Sequence, residues 1–586
     1  MSIAELVPRW PALPDPVGEV VAGTSLRNRS YRLRKQDSIE LMAAGIMAAR
    51  GIEEDPKVFL SPRLDRDMPD PMILQDMGIA AQRIATAVLR RERVVVFGDY
   101  DVDGASASAV MGRWFAGMGL DVSVYIPDRM SEGYGPTPKA IERCLAPGAD
   151  LLICVDCGTA AVEVLEAVDT DVVVIDHHKQ QGELPKVVAL VNPHRNDDTS
   201  GLGMLCATAL CFLVVTAAQK VLRDNDALPA DAPRLKDLLD IVAIATVADV
   251  VPLIGPSRLF VAKGLEVIAT KPSLGVAALM AVSGVSEVNA MKIGFALGPR
   301  VNAGGRVGAG SVSHQGALGA KLLMAKDPDE ASRIAAELDA MNVERQEIQK
   351  VCLEEATGLG QEQSDQGVTI VSVYGKGWHA GIVGIVAGRL RERFDVPVLI
   401  GALDDKGMIK GSGRSVPGFD LGSVVVEAKA RGLLETGGGH AMACGFGCRV
   451  EAWDAFQDFL RKNSIWKAEP ITVDCMIEAS GVSMEGIESL GMLEPLGMGN
   501  PSVKAAISGL RISGIKQLKN GHIKLDLAHR GGKLEGLWWR AREEGFEDTL
   551  MAMEGRTVTI VGSPKVEEWQ GRRRISLEIA DLFPSS

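Results

Sequence analysis

The sequence predicts an α/β protein in which a parallel-sheet domain is joined by a long helix to a smaller α/β domain, with a β-barrel at the C-terminus. Over residues 76–325, short β-branched runs alternate with helical segments, which is the pattern of a parallel sheet with crossover helices. A helical pattern of unusual length follows. Residues 471–586 then change to short alternating stretches separated by turn residues, which is typical of a barrel.

The chain length of 586 residues is enough for three or four domains. Residues 1–75 are predicted to be an N-terminal extension, and no chemistry is assigned to them. The sheet domain, the connecting helix, the smaller α/β domain and the barrel are then placed at residues 76–325, 326–360, 361–465 and 466–586.

The composition predicts a cytoplasmic protein without a membrane partner. Residues 1–23 lack the basic start and apolar block of a signal peptide, and the longest apolar stretch, Leu205–Ala218, is too short to cross a bilayer. The nine cysteines have no disulfide-like spacing, and Cys154 and Cys157 are interpreted as buried thiols rather than as a zinc or redox site. The net charge of −13 argues against a chain-wide nucleic-acid surface, although bound cations would cancel acids that cluster in a metal site.

The candidate site begins where the first predicted strand ends. Asp99, Asp101 and Asp103 follow an apolar run, and a helix is predicted over residues 105–117. The aspartates therefore lie at the carboxyl end of a parallel strand, where open α/β sheets bind their ligands. Three like charges in five residues need a compensating cation, unless the segment is a solvated acidic turn or a helix cap.

Two further predicted strands end in acids or imidazoles. Asp156 follows one strand, and Asp176, His177 and His178 follow the next. Because the carboxyl ends of parallel strands share one edge of a sheet, we expect these side chains to meet the three aspartates there. A pair of capping or core histidines is the alternative for His177 and His178.

One more carboxylate, Asp249, ends a nearly all-apolar helix predicted over residues 234–248. A buried charge needs a partner, which would be a metal ion, a helix end or a salt bridge. Carboxylates and imidazoles without thiolates suit Mn²⁺ or Mg²⁺, and so many ligands indicate two ions about 3.5–4 Å apart. Such a pair stabilises the attacking and leaving oxygens of a phosphoryl displacement, so the sequence predicts hydrolysis of a phosphate ester or anhydride.

The motifs GDYDVDG, VDCGT, DHH and ATVADVVPL occur in this order. Their wording and order resemble the DHH phosphoesterase superfamily, and most closely its bacterial single-strand-specific exonucleases, over roughly residues 75–510. The resemblance implies two divalent ions, with Mn²⁺ favoured and Mg²⁺ the alternative, held by Asp99, Asp101, Asp103, Asp156, His177, His178 and Asp249. The predicted catalytic residues among these are Asp101, Asp156, His177, His178 and Asp249. Which of the first three aspartates touch metal stays open, and Asp176 is expected to orient a histidine.

Three glycine-containing segments are candidates for substrate binding. In GPRVNAGGRVG, Arg300, Asn302 and Arg306 lie among small residues, and guanidinium groups bind phosphate oxygens bidentately. An ordinary surface loop is the alternative. Two later glycine-rich loops, GSGRS and GGGH, resemble the DHHA1 domain that usually accompanies a DHH domain. The substrate-binding residues predicted there are Ser412, Arg414, Ser415, Gly438, Gly439 and His440.

The C-terminal stretch is predicted to be an OB-like barrel that binds nucleic acid. Basic residues, among them Lys516, Lys524 and Arg574, accompany tryptophans, and positive groups beside aromatic rings suit single strands. Trp538 and Trp569 are predicted to stack on bases. Barrel tryptophans are often core residues, however, and the adjacent Trp538 and Trp539 must point to opposite faces.

With the resemblance, these features predict a single-strand-specific 5′→3′ DNA exonuclease that releases 5′-mononucleotides in DNA repair and recombination. Direction and product come from the resemblance, because the residue spacing indicates only phosphoester hydrolysis. The expected partners are single-stranded DNA, a helicase and a single-strand-binding protein, and the chain is expected to act as a monomer. Two alternatives stay open: a DHH phosphodiesterase of short oligonucleotides or cyclic dinucleotides, and a non-catalytic single-strand-binding scaffold.

Overall fold

The computed structural model describes residues 31–33, 42–52, 54–127, 132–133, 135–307, 317–466, 471–530, 532–542, 545–569 and 572–584. Within these residues the chain divides into two compact units. The first unit is built from residues 54–342 and 491–502. The second is built from residues 31–33, 42–52, 343–490 and 503–584.

The first unit contains the predicted parallel sheet. Its strands are β1 (Val94–Gly98), β2 (Ser123–Tyr125), β3 (Leu151–Val155), β4 (Asp171–Ile175) and β5 (Ala189–Val191). Within the described residues they lie in the spatial order β2-β1-β3-β4-β5, and every pairing is parallel. The order reverses between β1 and β3, and open α/β sheets bind their ligands at such a switch point.

Helices cover both faces of this sheet, because alternate residues of β1 enter two different cores. Val94 and Val96 belong to one apolar cluster, and Val95 and Phe97 belong to another. This double burial explains why the strand is a continuous apolar run rather than an alternating one. The longer helices of the unit are Met77–Arg90, Val102–Gly117, Pro138–Leu145, Ala207–Asp224, Leu239–Ala248, Gly255–Thr270 and Leu274–Ser283.

In the part of the chain that the structure describes, no single helix is long and apolar enough to span a membrane. Gly255–Thr270 and Leu274–Ser283 reach that length and composition only as a pair, and the pair is bent by 79°.

The long helix is Pro328–Ser364, and it ends beyond the predicted end of the connection at residue 360. Asp327 caps its start by accepting a hydrogen bond from the N–H of Glu330 at 2.8 Å. Its last turn is fixed by Gln363, whose side-chain amide donates to the carbonyl of Ser372 and accepts from the Ser372 N–H. These two bonds explain why a polar, glycine-containing segment remains helical.

The second unit contains a mixed sheet and a barrel. The sheet strands are β6 (Val371–Lys376), β7 (Val398–Leu403), β8 (Met408–Arg414), β9 (Thr436–His440) and β10 (Ala443–Arg449). Within the described residues their order is β9-β10-β8-β7-β6, and only β6 and β7 pair in parallel. The helices Val383–Phe394, Leu421–Ala430 and Trp453–Asn463 accompany this sheet.

The barrel has the closed topology that the sequence predicts. Its strands are β11 (Ala505–Gln517), β12 (Ile523–His529), β13 (Gly532–Trp538), β14 (Thr557–Trp569) and β15 (Arg572–Pro584). They pair in the order β11-β12-β13-β15-β14, and β14 returns to β11 to close the barrel. Closure removes the free strand edges that an open sheet would leave. Arg50, from the predicted N-terminal extension, forms a buried ion pair of 2.8 Å with Asp474 in the same unit.

Close helix packing in the first unit gives a stability prediction. A Cβ on Gly264 would lie 2.2 Å from the carbonyl oxygen of Leu239, whereas a Cβ on Gly388, also within a helix, meets nothing within 4 Å. We expect Gly264→Ala to lower the free energy of unfolding by about 1–3 kcal/mol through overpacking. Gly388→Ala should instead raise it by about 0.5–1 kcal/mol, because alanine favours the helix. Urea unfolding of both variants tests this, and equal effects would contradict it.

Candidate active site

Backbone amides hold the acidic turn that follows β1. The Oδ1 atom of Asp101 accepts hydrogen bonds from the N–H groups of Asp103 and Gly104, at 2.9 and 3.1 Å, and so caps the helix Val102–Gly117. Glycine is required at position 104, because a Cβ would lie 2.5 Å from the carbonyl oxygen of Asp99. The turn therefore brings the three aspartates to the sheet edge in fixed positions.

Asp103 is buried and lies at the start of a second helix. Its carboxylate oxygens accept hydrogen bonds from the N–H groups of Ala207 and Thr208, at 2.7 and 2.9 Å. The Thr208 hydroxyl also donates to the backbone carbonyl of Asp103 at 2.9 Å. The partial positive charge at the N-terminus of this 18-residue helix therefore faces the Asp103 carboxylate and stabilises it.

Asp156 lies directly after β3, in a left-handed conformation with φ of 59°. Its Oδ1 atom is 3.3 Å from Nε2 of His177 and has no hydrogen-bond partner among the described residues. Left-handed backbone is uncommon for a residue with a Cβ and is often found where function requires strain. The neighbouring Cys157 is buried, and burial raises the pKa of its thiol well above the usual value, in keeping with its interpretation as a buried thiol.

Asp176 organises the two histidines that follow β4. Its Oδ1 atom accepts hydrogen bonds from the N–H groups of His177 and His178, at 2.7 and 3.1 Å, and lies 2.8 Å from Nδ1 of His178. Its Oδ2 atom accepts from the N–H of Thr159 at 3.0 Å. Burial opposes ionisation here, but the bonds from His178 and Thr159 hold the pKa of Asp176 below its usual range. An ionised Asp176 fixes the orientation of the His178 ring.

Asn192 and His194, which the sequence analysis did not identify, stabilise the loop of His177 and His178 through hydrogen bonds. Asn192 donates hydrogen bonds to the Thr159 hydroxyl and the His178 carbonyl, at 2.9 and 2.8 Å. Its side-chain oxygen accepts from the N–H of His194, and Nδ1 of His194 lies 2.6 Å from the His177 carbonyl oxygen. Asn192 directly follows β5, so the rule that found the aspartates, a polar residue at the end of a parallel strand, would have found it too.

Asp249 reaches the same place from the end of the helix Leu239–Ala248. Its Oδ2 atom lies 3.7 Å from Nε2 of His177 and, within the described part of the chain, accepts no hydrogen bond. The next residue, Val250, is exposed and has φ of 61°, which is strained for a β-branched side chain. The chain thus leaves the site through a strained residue directly after the carboxylate.

All seven residues predicted for the metal site come together. They form three overlapping groups whose ligand atoms lie within 4.8 Å of one another: Asp99, Asp101 and Asp156; Asp103, His177 and Asp249; and Asp156, His177 and His178. Carboxylate oxygens and imidazole nitrogens are the donors that Mn²⁺ and Mg²⁺ sites use. Unpaired buried oxygens on Asp156 and Asp249 fit this group of ions, since a cation would satisfy both.

The electrostatics of the site favour a bound cation. Burial, together with the neighbouring aspartates, raises the pKa of Asp156 well above its usual value and that of Asp249 to about 9. Burial lowers the pKa of His177, which leaves its imidazole neutral and able to ligate. The hydrogen bond to Asp176 raises the pKa of His178. Crowded carboxylates of this kind are most stable when positive charge lies among them.

The segment predicted to bind the nucleic-acid backbone is helical rather than a loop, with helices at Gly298–Val301 and Gly304–Val307. Arg300 forms an ion pair of 2.7 Å with Asp339. Asn302 accepts a hydrogen bond of 3.1 Å from the N–H of Val102, beside the acidic turn. The Arg306 side chain lies outside the described residues.

The residues predicted from the later glycine-rich segments lie in the second unit and, except for Ser415, on neighbouring strands rather than in loops. Across β8, β10 and β9, Arg414 pairs with Ala443 and Ala443 pairs with His440, so these two predicted residues share one row. Ser412 and Gly438 share the row two residues further along the strands, on either side of Gly445. The loop prediction was wrong because these glycines serve strand packing. A Cβ on Gly439 would lie 2.3 Å from the carbonyl oxygen of Ala443 in the neighbouring strand, so only glycine fits there.

Arg414 is a half-buried cation without an acidic partner among the described residues. Its guanidinium donates to the Ser412 hydroxyl and the Gly413 carbonyl, both at 2.9 Å. Burial lowers the pKa of Arg414, whereas a neighbouring acid would raise it. Gly384, at the start of the helix Val383–Phe394, lies against both side chains, since a Cβ there would be 3.1 Å from Arg414 and 3.2 Å from Ser412. The surroundings of Arg414 suit an anion.

Two predicted substrate residues are wrong. Ser415 is buried and its hydroxyl donates to the Phe419 carbonyl at 2.7 Å, so it stabilises a turn. Trp538 is fully buried and packs on Phe546 at 5.3 Å between ring centroids, so it belongs to the barrel core and cannot stack on a base. Its neighbour Trp539 is 45% exposed. The Trp569 side chain lies outside the described residues.

Family models match three parts of the chain. The DHH family, N-terminal domain, matches residues 93–246, the DHHA1 domain matches residues 365–464, and the RecJ OB domain matches residues 473–581.

Curated relatives and solved structures are similar over most of the chain. The Bacillus subtilis (strain 168) protein named single-stranded-DNA-specific exonuclease RecJ is 33% identical over 94% of this chain and 69% of its own length. The Dickeya dadantii protein of the same name is 31% identical over 96% of this chain and 99% of its own. The crystal structure of Thermus thermophilus RecJ in complex with Mn²⁺ has a TM-score of 0.78 at 25% identity, covering 95% of this chain and 80% of that chain. The chain therefore belongs to the RecJ family of DHH-domain exonucleases.

Proposed function

We propose that this protein is a single-strand-specific DNA exonuclease that degrades strands from the 5′ end and releases 5′-mononucleotides, in DNA repair and recombination. The observation that carries the proposal is the convergence of unpaired oxygens of Asp156 and Asp249 on Nε2 of His177, at 3.3 and 3.7 Å. The names of the curated relatives supply the substrate. The direction and the product rest on the resemblance of the motifs GDYDVDG and DHH.

In this proposal the seven clustered residues hold two divalent ions, with Mn²⁺ favoured and Mg²⁺ the alternative. When bound, such a pair activates water and stabilises the charge that develops on the phosphate. The chain contributes rigid positions for the ligands. Asp176 orients the His178 ring, and backbone amides fix Asp101 and Asp103. Asn302 also fixes the acidic turn, because its side-chain oxygen accepts a hydrogen bond from the N–H of Val102.

We further propose that Ser412, Arg414 and His440 bind the phosphate at the strand end. Arg414 supplies a half-buried positive charge that has no acidic partner among the described residues, and the start of the helix Val383–Phe394 lies beside it. Gly438 and Gly439 would let a phosphate approach the strand closely, since Gly438 has open space where a side chain would be. Hydrogen bonds from an ionised donor to phosphate are roughly twice as strong as neutral ones.

The remaining expectations belong to the same proposal. Nine cysteines that are all buried free thiols support a cytoplasmic location. A helicase, a single-strand-binding protein and a monomeric state remain predictions from the sequence resemblance.

Replacing one clustered carboxylate should separate activity from stability. We expect Asp156→Asn to lower Mn²⁺-dependent cleavage at least about 100-fold, because a metal ligand is lost. The metal-free variant should nevertheless melt higher than the metal-free wild type, because one repelling buried charge is gone. Asp169→Asn, the same change at an exposed position, is the control for both measurements. A destabilised, fully active Asp156→Asn would refute the assignment.

The pH dependence of stability should report the same charges. The pKa of Asp249 is raised from 3.8 to about 9, so the folded protein holds this proton more tightly than the unfolded chain does. Without metal, stability should therefore fall as the pH rises from about 4 to about 9. A saturating divalent ion stabilises by about 2.7 kcal/mol at 100 times its Kd. Melting temperatures with EDTA and with Mn²⁺ should consequently diverge more at pH 9 than at pH 6, and parallel curves would count against the site.

Labelled strands test direction and product together. Single strands carrying a label at the 5′ or the 3′ end, with free or blocked 5′ ends, are digested with Mn²⁺. We expect labelled mononucleotide at once from the 5′ label and progressively shorter strands from the 3′ label. A blocked 5′ end should stop both reactions. Release of mononucleotide first from the 3′ end, or equal cutting of blunt duplex, would overturn the proposal.

A further inference from the structure

On the outer face of the barrel strands, the basic side chains form ion pairs with neighbouring acids. The sequence suggests a basic surface there, but Lys516, Lys524 and Arg574 each contact an acid. A row of pairs, called here the ion-pair row, crosses the strands in the order Lys516, Asp526, Lys524, Glu535, Arg574, Glu567 and Lys565. The shortest contact, between Arg574 and Glu535, is 2.5 Å. A phosphate backbone that bound this face would have to compete with these acids.

A different part of the barrel presents a fixed aromatic ring. Trp539 is 45% exposed, and its ring meets the ring of His522 edge to face at 4.7 Å between centroids. The N–H of Arg540 donates to Nδ1 of His522 at 3.0 Å, and the N–H of Arg542 donates to the Gly521 carbonyl at 3.1 Å. Arg540 has φ of 56°, so the turn after Trp539 is strained as well as cross-linked. An exposed ring is therefore held in one place.

This ring lines a large groove within the second unit. The groove has a volume of about 1410 Å³, which exceeds the roughly 300–1000 Å³ of a small-molecule pocket and suits a segment of a polymer. One wall is a stripe of the long helix that includes Leu353 and Thr357, and another is the end of the helix Val383–Phe394. Basic and acidic side chains line the groove in nearly equal numbers, so its charge alone would attract a phosphate backbone weakly.

We propose that this groove is an auxiliary binding site for single-stranded nucleic acid, in which Trp539 stacks on one base of the strand. The inference rests on the proposed exonuclease function, which supplies the strand. The proposed site is not the outer face of the barrel strands, because the ion-pair row occupies that face. Base–aromatic stacking tolerates any sequence, as a nuclease that digests along a strand requires.

The near-neutral lining makes the proposal sharper. Binding through phosphate contacts weakens steeply as salt rises, because each neutralised phosphate releases counterions. Stacking of a base on Trp539 adds affinity without changing the number of counterions that binding releases. Loss of the ring should therefore weaken binding by the same factor at low and at high salt.

The experiment measures binding of fluorescent oligothymidylates to the full chain in EDTA, where no cleavage occurs. Strands of about 6 and about 30 nucleotides are used, which bracket the 4–16 nucleotides that one OB domain covers. We expect Trp539→Ala to weaken binding of the long strand about tenfold and to leave the short strand unchanged. Trp539→Phe should restore most of the loss, and plots of log affinity against log salt should stay parallel for all three proteins.

The control is Met551→Ala, which changes another residue with 45% exposure that does not line the groove. Unchanged binding of the long strand by Trp539→Ala would overturn the proposal, and so would an equal loss on both strands. Cleavage of the short strand with Mn²⁺ tests the exonuclease function separately. If wild-type protein cuts neither strand while long-strand affinity still depends on Trp539, the nuclease is refuted and the groove remains.

Discussion

Repulsion among buried carboxylates at one edge of the parallel sheet is the constraint on which the first unit depends. Asp156 and Asp249 approach the same imidazole with oxygens that accept no hydrogen bond from the described residues. Burial and mutual proximity raise the pKa of both groups, so their ionised forms are unfavourable in the absence of a cation. The surrounding fold can only hold such a cluster if something else fixes each member.

That fixing comes from backbone amides and from neutral or positive polar groups. Asp101 and Asp103 are held by the first turns of two helices, and Asp176 by the amides of the loop that it organises. Strain appears at the same places, in the left-handed backbone of Asp156 and Val250. A site that concentrates repulsion and strain is maintained by the packed helices around it, in agreement with the buried interior of the helix Val102–Gly117.

The sequence predicted those parts of the site that follow from strand order. Asp99, Asp156 and His177 each follow a strand, and parallel strands bring their ends to one edge whatever the loops do. Side-chain environments were harder to predict, because they depend on neighbours distant in the chain. The Ser415 hydroxyl donates a hydrogen bond to the Phe419 carbonyl. Trp538 lies on the inner rather than the outer side of its strand. Alternation allowed either tryptophan to be the buried one, and only the register of the closed barrel decides.

Glycine-rich segments were ambiguous for a related reason. The same residues that permit loops also permit strands to pack without side chains, as Gly439 does against the carbonyl of Ala443. What the sequence could not express is that β8 and β9 share a common neighbour, which puts Arg414 and His440 in one row. Long-range register thus turns two unremarkable glycine runs into one surface.

The net charge of −13 becomes intelligible once paired and unpaired charges are separated. On the barrel, acids and bases neutralise each other along the ion-pair row, and their sum predicts nothing about binding. The charges left without a described partner of opposite sign include the carboxylates of Asp156 and Asp249 in the first unit and the half-buried guanidinium of Arg414 in the second. Each kind needs a ligand of opposite charge in its own unit: divalent cations would neutralise the carboxylates, and an anion would neutralise the arginine. The need for bound ions of either sign is therefore found in these few unpaired groups, and the overall charge does not reveal it.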